Sequence, residues 1–109
     1  MRPPQDIRSI IEATGLPCAY REWKASPDNP APPPPYCVYY AGRANNFAAD
    51  GVVWFTAQSY TVELYTEDKE PATEAALEAA LTATGIFWTK DEAYIDSERM
   101  NEIIYEFEV

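Results

Sequence analysis

The sequence predicts an α+β domain: a mostly antiparallel sheet of about four to five strands with two helices packed on one face. Three observations carry this. In residues 59–66, Tyr60, Val62 and Leu64 alternate with Thr61, Glu63 and Tyr65, the period-two pattern of a half-buried strand. Directly after it, the acidic stretch Glu67-Asp68-Lys69-Glu70-Pro71 opens an alanine- and leucine-rich helix signal over residues 69–84. The chain closes on residues 103–109, where Ile103, Tyr105, Phe107 and Val109 alternate with Ile104 and two acids, so this strand is expected to be tied into the sheet.

The other elements follow in order. Residues 3–15 read as a short helix: Pro3 and Pro4 suit its entrance, and Ile7, Ile10, Ile11 and Thr14 fall on one stripe. Gly15 and Pro17 end it. The stripe is narrow, so the helix is expected to lie on the sheet rather than inside a core. Residues 18–23 read as extended, with Tyr20 and Trp23 as aromatic anchors. The connector 27–35 holds six prolines in nine residues, which excludes helix and central strand and favours polyproline II. A rigid connector outweighs the alternative of a ligand for an SH3 or WW domain. Residues 36–41 form a strand apolar on both faces, residues 42–46 a turn-rich loop, and residues 52–55 a short strand after the turn signal Ala49-Asp50-Gly51.

In the second helix Asp68 is the expected cap, and Pro71 fits the first turn. Thr73, Ala76, Leu77, Ala80, Leu81 and Thr84 make the sheet-facing side, which leaves Glu74 and Glu78 pointing to solvent. Gly85 ends the helix, residues 86–90 return as a strand, and residues 91–97 read as a loop.

Composition sets the limits. A chain of 109 residues makes one domain, 1–109, with a modest core. The hydrophobic share of 47% argues against disorder despite a net charge of −10. That charge is segregated: residues 1–62 carry five acids and five bases, residues 63–109 thirteen acids and three bases. No run approaches the ~20 apolar residues of a membrane helix, and the first residues lack a signal-peptide core. The expected compartment is therefore cytoplasmic, with Cys18 and Cys37 as reduced thiols. Nucleic acid is repelled by such a chain.

The chemistry points away from catalysis. Histidine is absent, neither cysteine has an activating sequence context, and the four glycines form no phosphate cradle. Glu106 and Glu108 lie on one side of a strand, where a solvated or interface-facing row outweighs an acid/base pair. The expectation is a non-enzymatic protein without cofactor or metal. Surplus apolar strand surface is the positive signal: Tyr39, Trp54, Phe55, Tyr65 and Ile104 need a partner surface. Self-association outweighs the alternative, a second small cluster beneath the proline-rich connector.

The ordered set of segments resembles the tail-terminator (tail completion, tail-to-head joining) proteins of long-tailed bacteriophages and prophages. Carrying residues are Pro34-Pro35-Tyr36-Cys37-Val38-Tyr39-Tyr40, Phe47-Ala48-Ala49-Asp50, and Tyr60-Thr61-Val62-Glu63-Leu64-Tyr65-Thr66-Glu67-Asp68-Lys69. Glu74, Leu77 and Leu81 follow, then Gly85-Ile86-Phe87-Trp88-Thr89-Lys90, Ile95, Glu98 and Ile103-Ile104-Tyr105-Glu106-Phe107-Glu108. The run 28–35 departs from the family pattern by its proline content. The resemblance implies helices against a mostly antiparallel sheet and a homo-hexameric ring. That ring caps the tail tube, contacts the tail tube protein and the head connector protein, and lets DNA pass without specific binding. It also implies residence in the host cytoplasm during assembly and then in the virion tail. The rival from another class is a small acidic DNA mimic that inhibits a nucleic-acid-binding enzyme. Its carboxylates would follow phosphate spacing, whereas these follow helix and strand periods.

Overall fold

The structure, a computed structural model, describes residues 3–24, 26–28, 30–49 and 51–109, without the side chains of 47–49 and 52–55. The elements are α1 (Pro4–Glu12), β1 (Cys18–Tyr20), β2 (Tyr36–Ala49), β3 (Val52–Thr66), α2 (Pro71–Ala83), β4 (Trp88–Ile95) and β5 (Met100–Glu108). One five-stranded sheet has the order β1-β2-β3-β5-β4. All its pairings are antiparallel except β1 with β2, so the sheet is mixed. The α+β class stands, with β1 as the parallel exception.

Register explains how one face became the core. Across the sheet, Tyr39, Val62, Tyr105 and Lys90 form one row, and Cys37, Leu64, Ile103 and Glu92 the next. Because strand side chains alternate, these rows share one face. The core on that face contains Ile7 and Ile11 of α1 and Leu77 and Leu81 of α2, all fully buried. Gly85 at φ +80° ends α2 in a Schellman turn, with Ile86 N–H donating to Leu81 O at 3.1 Å and Gly85 N–H to Thr82 O at 3.0 Å. The turn folds Ile86 back into the core at 4% exposure.

Four local readings are corrected. Residues 42–46 are strand: a register shift between Ala41 and Ala44 absorbs Gly42-Arg43, and pairing resumes at Ala44↔Gln58. Residues 52–55 and 59–66 belong to one strand, β3. β4 runs on to Ile95 instead of ending at Lys90, because an edge strand remains paired on one side while its residues are polar. The N-cap of α2 is Glu70, without a side-chain cap bond, rather than Asp68. At the C-terminus, Gln58 and Val109 exchange backbone hydrogen bonds of 2.6 and 2.9 Å, which ties the last residue to β3.

Candidate functional site

The two faces of the sheet treat charge differently. On the helix side, α2 turns Glu74 inward to 2% exposure, and Glu78 follows it, half-buried. Both were expected in solvent, and the reason for the difference lies across the sheet. Lys90 of β4 stands 2.8 Å from Glu74 Oε1 and 2.7 Å from Glu78 Oε2. Lys69, before the helix, donates to Glu74 Oε1 at 3.0 Å, lies 2.8 Å from Oε2, and also pairs with Glu92. Tyr105 Oη donates to Glu78 Oε2 at 2.7 Å. Burial by itself raises the pKa of Glu74, but hydrogen bonds from Lys69 and Lys90 outweigh it and hold the carboxyl below its ordinary range. Lys69 and Lys90 are raised, first by their hydrogen bonds to Glu74.

The opposite, open face has a different arrangement. Its rows are Val38, Glu63, Ile104 and Asp91, then Tyr40, Thr61, Glu106 and Thr89, then Tyr36, Tyr65, Glu102 and Ala93. Glu63 accepts hydrogen bonds from Tyr40 Oη at 2.8 Å and Tyr65 Oη at 2.6 Å. Burial, and then the charge of Glu63, raises the Glu102 carboxyl. Among the described residues no ion pair reaches Asp91, Glu102 or Glu106. Part of this face is covered by the segment that follows β1: Trp23 meets Tyr36 edge-on at 6.2 Å, and Tyr36 stacks on Tyr65 at 5.2 Å.

The five expected interface residues therefore separate. Tyr39 lies on the helix-covered face at 3% exposure, inside the core, because its register partner is Val62. That is a correction: its ring is used within the chain. Tyr65 is half-buried in the aromatic stack beside the connector, the smaller cluster weighed as the alternative above. Ile104 sits half-buried on the open face between Glu63 and Asp91. Trp54 and Phe55 lie in β3, and their side chains are outside the described residues.

Sequence reasoning missed two further features. Phe87 is 94% exposed directly after the helix-ending turn, a position no periodicity marks. Cys18 and Cys37 are register partners on β1 and β2 and carry free thiols. Burial pushes the Cys37 thiol up to about 12. No cluster of metal-ligating side chains occurs among the described residues, and no helix among them is long and apolar enough to cross a membrane. Compared with protein-family models and with curated protein sequences, the chain matches none.

Proposed function

We propose that this chain is a non-enzymatic structural protein of a long-tailed bacteriophage or prophage, a tail terminator or tail completion protein. In this reading six copies form a ring at the head-proximal end of the tail tube. The ring meets the tail tube protein on one side and the head connector protein on the other, and DNA passes through it. Assembly takes place in the host cytoplasm, and the protein ends in the virion tail.

The observation that carries this reading is the unequal charge of the two sheet faces. Lys69 and Lys90 are engaged with carboxylates on the helix side, while Asp91, Glu102 and Glu106 remain on the open face. A phosphate chain moving past Asp91, Glu102 and Glu106 meets repulsion, while Arg21, a cation on this face, lies over the Tyr40 ring at the end where Trp23 covers the sheet. At physiological salt that repulsion reaches about 8 Å, which discourages contact without closing a channel.

Tail tubes assembled with and without the protein, measured by electron microscopy, test the proposal. The protein should fix tube length and add density at one end. Tubes that grow equally long in its presence would sink the idea. The same acidic face favours a second reading, a DNA mimic. That reading requires a monomer which competes with duplex DNA for an enzyme, so native mass separates the two.

A further inference from the structure

The β2–β3 hairpin continues well past the sheet. β1 pairs with β2 only as far as Tyr39, and β5 pairs with β3 only from Ser59 onward. At the root of this extension Gln58 still exchanges backbone hydrogen bonds with Val109; beyond it, among the described residues, from Asn45↔Ala57 to Ala49↔Val52 the two strands are register partners of each other and of no further strand. This arm makes the molecule long, 52 × 31 × 26 Å. Its radius of gyration of 15.4 Å exceeds the ~13 Å of a compact domain of this length.

We infer that the arm is the surface through which one copy of this chain meets a second copy. The inference names the self-contact of the ring proposed above, and rests on that reading only for the number of copies. Three observations converge. A two-stranded ribbon is marginal in water, and both its outer edges carry main-chain donors and acceptors without strand partners. Within it, Val52-Val53-Trp54-Phe55 is an unbroken apolar run in sequence, so the polar alternation of a ribbon built for water is missing. Residues 43–58 also hold one base, Arg43, and one acid, Asp50, in a chain of net charge −10.

That last point selects the occupant. Copies carrying the same strong charge repel wherever their acidic parts approach, and least where the contact is uncharged. Nucleic acid would find too little positive charge on the arm. At its root, the 94% exposed Phe87 lines a cleft with Ser59, Thr61 and Glu106, so the inferred contact extends from the arm onto the body there. Contact of the β2 edge of one copy with the β3 edge of the next would be heterologous, the kind that closes into rings.

The test is native mass and sedimentation of the full chain against Val53→Glu/Phe55→Glu and, separately, Phe87→Ser, with thermal melts as the folding control. Wild type should associate, both variants should melt like wild type, and the arm variant should associate about thirtyfold more weakly or worse. Arm-variant association equal to wild type would overturn the inference, as would a wild type monomeric at every concentration and salt. A folding defect in the arm variant leaves Phe87→Ser to decide, since unaltered association there removes the extended contact and overturns the inference as stated. The outcomes separate from those of the tube experiment. A monomer that still limits tube length refutes the arm contact alone, and an arm-linked oligomer that leaves tube length unchanged refutes the phage reading alone.

Discussion

The base and the far end of the β2–β3 hairpin are built from the same two strands, yet they sit in opposite surroundings. At the base, Cys37, Val62 and Leu64 are fully buried, flanked by β1 and β5 and covered by two helices. Among the described residues, the strands beyond Ala44↔Gln58 have only each other as sheet partners. Secondary structure is identical in the two regions, so it does not explain both. The base is held by burial of apolar surface, the dominant favourable term in folding. The arm lies outside this burial by β1, β5 and the helices, and in the inference above a second copy completes it.

Four measurements break or sharpen this contrast. The largest effect is expected from Leu77→Asp, which places a carboxylate in the fully buried contact between α2 and the base. The cost is on the order of several kcal/mol, comparable with the whole stability of a small domain, and the protein should be unfolded by circular dichroism. A folded Leu77→Asp protein would show that the helix does not hold the base.

Thiol chemistry compares the regions directly. Cys37 is fully buried, with its pKa raised to about 12 by burial, so alkylation at neutral pH has to wait for opening. In the Ala44→Cys variant the new thiol stands at an exposed arm position. It should react at least about a hundredfold faster than Cys37 in the same molecule. Equal rates would place base and arm in one stability class. A thiol count of zero on unfolded, unreduced protein would overturn the reduced state of both cysteines.

Next in size is Glu74→Ala, which strips Lys90 and Lys69 of their shared carboxylate. A loss of ~1–3 kcal/mol is expected in urea melts. The folded-state pKa of Glu74 is depressed. Its contribution is therefore full at neutral pH and lost as pH falls below the ordinary carboxylate range of about 4. Glu74→Gln should flatten that acid limb of the stability curve; an unaltered limb would remove the ion-pair account.

The smallest contrast pairs Glu78→Ala with Asn46→Ala. Glu78 accepts hydrogen bonds from Lys90 and Tyr105, so its loss should cost roughly 1 kcal/mol. Asn46 is exposed on the arm, where its Oδ1 accepts a hydrogen bond from Thr56 Oγ1 across it, so its loss should stay within ~0.5 kcal/mol. Reversed magnitudes would mean that the arm, not the base, sets the stability of the chain.

Some of this was determined by sequence alone. The alternation of residues 60–66 and 103–109, Pro71 at the helix start, Gly85 at its end, and Leu77 with Leu81 facing the sheet are local signals, and the fold obeys them. The α+β class and the placement of both helices on one face follow from those signals. Three features were settled only by tertiary contacts. Tyr39 and Tyr40 are adjacent aromatics of equal propensity, and register with Val62 sends the first into the core while the second faces Glu63. The inward side of α2 includes Glu74 because Lys69 and Lys90 converge there, and Lys90 reaches it only once β4 has paired with β5. Strand continues through Gly42-Arg43 and through residues 91–95 because a paired partner outweighs local turn or loop preference. Periodicity reports what a segment does by itself, and these three outcomes depend on residues brought together from distant parts of the chain.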